Sequence, residues 1–117
     1  MSGKLTTHVL DTVRGRPAES IEVELWSIDP VTNFSSLLKS VTTNADGRAP
    51  LLTDRELKVG CYELVFSIGT YFFEFYEPNT LPFLNRVPIR FGVANPEENY
   101  HVPLLISPWS YSTYRGS

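Results

Sequence analysis

Apolar and polar residues alternate along most of this chain with a period of two. The stretch Ile21-Glu-Val-Glu-Leu-Trp26 is one instance, and the alternation returns in several further segments. Successive side chains of a strand point to opposite faces, so this pattern is typical of strands with one buried face. The segments that show it are 5–10, 21–26, 37–43, 61–68, 86–91 and 100–106.

Clusters of turn-forming residues separate these segments at intervals of about a dozen residues. They are Arg14-Gly15-Arg16-Pro17, Asp29-Pro30, Asn44-Ala-Asp-Gly47, Pro78-Asn79 and Asn95-Pro96. About eight short strands joined in this way predict an all-β fold, an antiparallel β-sandwich. The chain has 117 residues and contains no repeat, low-complexity segment or linker, so we expect a single domain over residues 1–117.

One segment, 70–77, does not alternate cleanly, because its aromatic residues are clustered. Thr70 is a suitable N-cap, and Pro78 would end a helix soon after it begins. A strand is the alternative for this segment, and we favour one short helix. The single cysteine, Cys61, excludes an internal disulfide, and its apolar surroundings predict a small buried side chain.

Composition narrows the class of protein further. Hydrophobic residues make up 42% and charged residues 20%, an ordinary globular mix, and the net charge is -3. A negative charge argues against nucleic acid as a partner. No apolar run is long enough for a signal peptide or a membrane span, which predicts a soluble cytoplasmic protein with no membrane partner. A peroxisomal location stays open, although the chain does not end in Ser-Lys-Leu.

The chain has two histidines, His8 and His101, and both lie in predicted strands. In residues 100–106 the phase of Val102, Leu104 and Ile106 should face the core, which places His101 on the outer face. His8 likewise falls opposite to the phase of Leu5 and Val9. An outward histidine in a strand is most often simply solvated, so this placement alone does not indicate a site.

Other kinds of site find little support in the residues. Zinc sites need more ligands at suitable spacing than the two histidines provide. A serine triad could be assembled from Ser117, a histidine and Asp11, but the chain has no nucleophile elbow, and Asp11 has the character of a turn residue. Asp46-Gly47 lacks the further ligands of a calcium loop and predicts a hairpin turn, which delivers Arg48 to the next strand.

Several motifs together resemble the 5-hydroxyisourate hydrolase family of transthyretin-related proteins. They are Thr7-His-Val-Leu-Asp11, Asn44-Ala-Asp-Gly-Arg48, Val87-Pro-Ile-Arg-Phe91, Tyr100-His-Val-Pro-Leu-Leu105 and Ser107-Pro-Trp-Ser-Tyr-Ser-Thr-Tyr-Arg-Gly-Ser117. The resemblance runs from Leu5 to the last residue and implies a transthyretin-like sandwich. Transthyretin itself has lysine in place of His8, lacks the histidine at 101 and continues in an apolar tail. Many family members have a histidine where this chain has Asn99, which puts an accessory contact in doubt.

The resemblance implies hydrolysis of the lactam ring of 5-hydroxyisourate to 2-oxo-4-hydroxy-4-carboxy-5-ureidoimidazoline, a step of urate breakdown. It implies that His8 and His101 jointly activate water, and that Arg48 holds ring oxygens and stabilises the oxyanion. It implies neither a metal nor an organic cofactor. Which histidine takes the proton first stays open.

The resemblance also implies a homotetramer whose sites lie where subunits meet, so that a partner would cover the outward histidines. The tail would then be held at the site, with Ser117 offering its hydroxyl and terminal carboxylate and with substrate-binding roles for Tyr114, Arg115 and Gly116. Two alternatives remain: a transthyretin-like carrier of a small ligand without turnover, and an interaction module with neither turnover nor a channel. Turnover of 5-hydroxyisourate separates the three.

Overall fold

The computed structural model describes residues 3–117, in which nine strands form two sheets. The strands are β1 (Leu5–Asp11), β2 (Arg16–Pro17), β3 (Glu22–Ile28), β4 (Ser35–Thr42), β5 (Arg48–Leu52), β6 (Gly60–Ser67), β7 (Arg86–Val93), β8 (Tyr100–Ile106) and β9 (Tyr111–Thr113). Two short 3-10 turns, Asp54–Glu56 and Phe73–Phe75, are the helical elements of this part of the chain.

The first sheet is built around β1. Strand β8 pairs with β1 along its whole length, so β2 and β5 share the opposite edge of β1, and β9 continues the sheet beyond β8. The second sheet has the order β4-β3-β6-β7. The predicted antiparallel β-sandwich is confirmed, and among the described strands β1 and β8 alone pair in parallel. Most of the chain separates these two strands, so no hairpin constrains their relative direction.

The core lies between the inner faces of the two sheets. In β1 the side chains of Leu5 and Val9 are fully buried, and in β8 Val102, Leu104 and Ile106 face the core as the alternation predicted. The second sheet contributes Leu64, Phe66 and their neighbours. Each such side chain stabilises the fold by about 1.5–3 kcal/mol on full burial. The opposite phase of β1 and β8, which carries both histidines, is left on the outer face.

The short helix predicted within residues 70–77 is present only as a single 3-10 turn. The turn is Phe73–Phe75, whose N-cap is Phe72 and not Thr70. The hydroxyls of Tyr71 and Tyr76 donate to Asp11 Oδ2 and to the carbonyl of Pro108, at 2.8 and 2.7 Å. These two hydrogen bonds, one to the end of β1 and one to the β8–β9 connection, hold the segment in place, and Phe72 is its fully buried side chain.

The burial of Cys61 and the absence of a membrane span were also predicted from the sequence. Cys61 is only half-buried, because it occupies the outer phase of β6 while Tyr62 faces the core. Among residues 3–117, no helix is long and apolar enough to cross a membrane. Residues 1 and 2 of the expected domain, 1–117, lie outside the described residues, so that boundary stays a prediction.

Candidate active site

Three adjacent strands of the first sheet bring the polar side chains of its outer face together. His8 on β1 lies opposite Arg48 on β5, and Thr6 on β1 lies opposite His101 on β8. Paired residues of neighbouring strands share a face, so all four side chains lie on the outer face of the sheet. The ring centroids of His8 and His101 are 6.4 Å apart. The outward placement predicted for both histidines is confirmed.

A tight turn delivers Arg48 to this face. Gly47 has a φ of 74°, and a Cβ there would lie 2.4 Å from the carbonyl oxygen of Val9. Asn44 closes the turn, since its Oδ1 accepts hydrogen bonds from the main chain of Asp46 and Arg48 at 2.9 and 3.0 Å. The turn predicted at Asp46-Gly47 is present and β5 begins at Arg48, but the prediction of a hairpin was wrong, because the turn joins β4 of the second sheet to β5 of the first.

The C-terminal tail, residues 114–117, approaches His101 from the edge of β8 that lies opposite β1. Strand β9 pairs with β8, and beyond it Gly116 forms a bridge to His101, with its N–H donating to the His101 carbonyl at 2.8 Å. A Cβ at Gly116 would lie 2.7 Å from Cδ2 of His101, so only glycine lets the backbone pass this close to the ring. This contact sets Ser117 beside the histidine.

These elements line an open cavity of about 210 Å³. Its lining residues are Lys4, Thr6, Arg48, Asn99, His101 and Ser117. Arg48 and Lys4 give it positive charge, and the remaining side chains offer hydroxyl, amide and imidazole groups. Such a lining suits an anionic molecule that carries hydrogen-bonding groups.

The surroundings of His101 favour its neutral form. Burial lowers the pKa of His101 below its ordinary value of 6.5, and the charges of Arg48 and His8 lower it further. Hydrogen bonding to the main chain of Thr6 acts in the opposite direction and does not outweigh them. A neutral imidazole accepts a proton, so His101 is suited to act as a base near neutral pH.

Two of the residues predicted to bind substrate lie elsewhere in the protomer. Tyr114 and Arg115 line a separate cavity of about 410 Å³, which β7 also lines. The Arg115 guanidinium pairs with Glu98 at 2.9 Å and lies 4.1 Å from the ring centroid of Tyr100. Their contribution to substrate binding stays a prediction. It requires that the two side chains reach the site of a neighbouring subunit.

Sequence reasoning did not single out Thr6 or Lys4 for the site. Thr6 shares the outer phase of β1 with His8, so the alternation contained this signal. The alternation does not show how β1 is aligned with β8. That alignment puts the Thr6 hydroxyl 2.8 Å from His101 Nδ1. Asn99 lines the cavity, and its Oδ1 accepts a hydrogen bond from the Lys4 main chain at 3.0 Å.

Residues 5–116 match the model of the HIUase/Transthyretin family. The chain belongs to this family. Among curated members of the HIUase/Transthyretin family, the 5-hydroxyisourate hydrolase of Halalkalibacterium halodurans is 51% identical, with all of both chains covered. That of Ralstonia nicotianae is also 51% identical and covers 98% of this chain and 99% of its own.

Solved structures related to this HIUase/Transthyretin family member agree on the fold. An (S)-allantoin synthase superposes with a TM-score of 0.87 at 45% identity, covering 99% of this chain, which spans 44% of the synthase chain. The 5-hydroxyisourate hydrolase of Klebsiella pneumoniae gives 0.79 at 33% identity, with 98% and 99% of the two chains covered. Sea bream transthyretin in complex with thyroxine gives 0.82 at 27% identity, with 96% and 93% covered. The transthyretin-like sandwich predicted from the sequence is confirmed.

Proposed function

We propose that this chain hydrolyses 5-hydroxyisourate at the cavity on the outer face of the first sheet. The observation that carries the proposal is the convergence of Arg48, His101 and Ser117 around one cavity, with His8 beside it. These residues come from four separate parts of the chain. Relatives about half identical over their full length bear the name 5-hydroxyisourate hydrolase, which supports the same reaction.

The reaction adds water across a cyclic amide. A neutral histidine takes a proton from water, and the hydroxide adds to the lactam carbonyl carbon to form a tetrahedral oxyanion. The C–N bond of the ring then breaks, and the proton passes from the histidine to the departing nitrogen. The products are a carboxylic acid and a ureido group on the remaining five-membered ring, and the acid then ionises by releasing its proton to solvent, so atoms and charge balance without a co-reactant.

Arg48 stabilises the negative charge that develops during this reaction. Its planar guanidinium presents several N–H donors and a permanent positive charge, which suits the ring oxygens of the substrate and the developing oxyanion. Removing one such donor in other hydrolases costs about 10²–10³ in kcat. Lys4 adds positive charge to the same cavity and would favour an anionic substrate.

A second function, that of a small-ligand carrier, has the fold of sea bream transthyretin in its favour. The fold does not separate the two functions, because transthyretin and the hydrolases share it. The paired histidines do favour hydrolysis, since a carrier needs no group that exchanges protons near neutral pH. Binding without turnover would be the signature of a carrier.

The site we propose is completed between the subunits of a homotetramer. The cavity of one protomer, about 210 Å³, is smaller than the roughly 300 Å³ at which small-molecule sites usually begin. Leu10 and Leu105 lie on the same outer face as the histidines and are only half-buried in the protomer. A partner covering this face would bury both leucines and enlarge the cavity into an enclosed site.

Turnover is tested with 5-hydroxyisourate freshly generated from urate, followed by its ultraviolet absorbance. Because this compound decays spontaneously, the buffer rate is the reference. We expect catalytic amounts of the protein to accelerate the decay in proportion to protein concentration. Decay at the buffer rate, with a ligand retained on the protein in equilibrium dialysis, would contradict hydrolysis and support a carrier.

A further inference from the structure

The hydroxyl of Thr6 contacts one of the two nitrogens of the His101 ring. Thr6 and His101 are register partners across the parallel pair β1–β8, and Oγ1 lies 2.8 Å from Nδ1. In a neutral imidazole one nitrogen carries the proton and the other accepts, and the partner of one nitrogen selects which is which. The contact at Nδ1 therefore determines what Nε2 presents to the cavity.

The same ring is also held along its other edge. The Gly116 backbone packs against Cδ2, where a Cβ would come within 2.7 Å. The ring therefore has β1 against its Nδ1 edge and the tail against its Cδ2 edge. Within residues 3–117, the Nε2 atom has no hydrogen-bond partner, while His101 lines the cavity. Nε2 is thus the nitrogen left for a molecule bound there.

The unpartnered Nε2 indicates where the proton has to reside. A molecule in the cavity can give a proton only to a ring nitrogen with a free lone pair, and Nε2 is the nitrogen left for it. The ring proton must then lie on Nδ1, where the Thr6 hydroxyl oxygen, 2.8 Å away, accepts it. Thr6 lines the cavity, so its own hydroxyl proton can point to a molecule inside it.

We infer that Thr6 is a positioning residue that fixes His101 in the Nδ1–H form, so that Nε2 carries the free lone pair and His101 is the base. In the hydrolysis, water gives its proton to Nε2 while its oxygen adds to the lactam carbonyl carbon. The same proton then passes from Nε2 to the departing ring nitrogen. The assignment rests on the proposed function, in which His101 accepts a proton, and the tautomer can be measured without turnover.

The tautomer is measured by ¹⁵N NMR on labelled protein at a pH where the rings are neutral. With two histidines in the chain, His8→Asn assigns the remaining ring to His101. We expect a protonated Nδ1 and an unprotonated Nε2 in the wild type and in Thr6→Ser. Thr6→Val should give a mixture of both forms. A protonated Nε2 in the wild type, or identical spectra for the wild type and Thr6→Val, would overturn the inference.

Kinetics give a second, independent readout. Thr6→Val should lower kcat about five- to tenfold, the effect of losing one neutral hydrogen bond, with KM changed less than about twofold. Thr6→Ser should restore kcat because it keeps the hydroxyl. A raised KM at unchanged kcat would place the hydroxyl against the substrate and overturn the positioning role.

Thr7→Val is the matched control, since Thr7 neighbours Thr6 on β1 and its hydroxyl donates to the Val102 carbonyl of the same strand β8, at 2.7 Å. Thr7 faces the core, so its loss should lower the thermal midpoint and leave kcat unchanged. Equal losses of kcat in the two valine variants would show a structural effect and overturn the inference. A wild type with the expected tautomer but no turnover would contradict the proposed hydrolysis alone.

Discussion

Replacing Gly116 by alanine places a methyl group against the ring that the proposed reaction uses. The added Cβ would lie 2.7 Å from Cδ2 of His101, and 3.4 Å from both Cγ of His101 and Cγ of Pro103. Carbon atoms pack at about 3.5–4.0 Å, so either the ring or the tail must move by about 0.8 Å or more. The tail cannot move freely, because the Gly116 N–H donates to the His101 carbonyl at 2.8 Å.

A displacement of this size has a calculable effect on turnover. Misplacing a reacting group by about 1 Å can cost about 10²-fold in rate, so we expect kcat to fall by about ten- to a hundredfold. Overpacking of a core costs about 1–3 kcal/mol, but Gly116 is only half-buried beyond the last strand, so the thermal midpoint should change less than such a value implies. The assay is the absorbance decay of 5-hydroxyisourate, with calorimetry on the same preparations.

Gly92→Ala is the matched control for this prediction. Gly92 lies on β7 in the other sheet, and a Cβ there would meet nothing within 4 Å. The control should keep both its activity and its thermal midpoint. Wild-type kcat in Gly116→Ala, or an equal loss of kcat in Gly92→Ala, would refute the argument that the tail holds the His101 ring.

Further predictions concern the histidines, the pH dependence, Asp11 and the assembly. His8→Asn and His101→Asn should each lower kcat by about 10² while circular dichroism stays unchanged, and wild-type kcat in both would remove them from the site. Burial and Arg48 hold the pKa of His101 below 6.5, so kcat/KM should stay level down to about that pH and fall below it as the ring protonates. Arg48→Gln should raise this pKa and move the fall to higher pH, and an unmoved profile would exclude Arg48 as its cause. Asp11→Asn should lower the free energy of unfolding by about 1–3 kcal/mol, measured by urea titration, because a buried carboxylate loses its charge-assisted bond to Arg14; an unchanged midpoint would contradict this. Light scattering should give the mass of a tetramer, and a fully active monomer would contradict a site completed between subunits.

The sequence predicts the sandwich well because each strand obeys a local rule. The alternation in residues 100–106 depends only on neighbours along the chain, and it placed Leu104 in the core and His101 outside it. The turn before Arg48 is equally local, since Asn44 and Gly47 close it by themselves. Both features need no knowledge of which strand lies beside which.

What the sequence does not predict depends on contacts between distant segments. The parallel pairing of β1 with β8 puts Thr6 beside His101, and no local pattern specifies that register. The aromatic segment 70–77 has the local marks of a helix, yet the hydrogen bond from Tyr71 to Asp11 belongs to the packing of the whole molecule. The side of the sheet to which Arg115 turns is likewise set by its ion pair with Glu98.

The central claim is that the histidines on the outer face perform a hydrolysis. Its most direct test is the initial rate of 5-hydroxyisourate decay at neutral pH with equal amounts of wild type, His101→Asn and Gly92→Ala, each corrected for the buffer rate. The account predicts rapid decay with the wild type and with Gly92→Ala, and a rate about 10² lower with His101→Asn. Decay at the buffer rate with folded wild type, or equal rates with all three proteins, would contradict it.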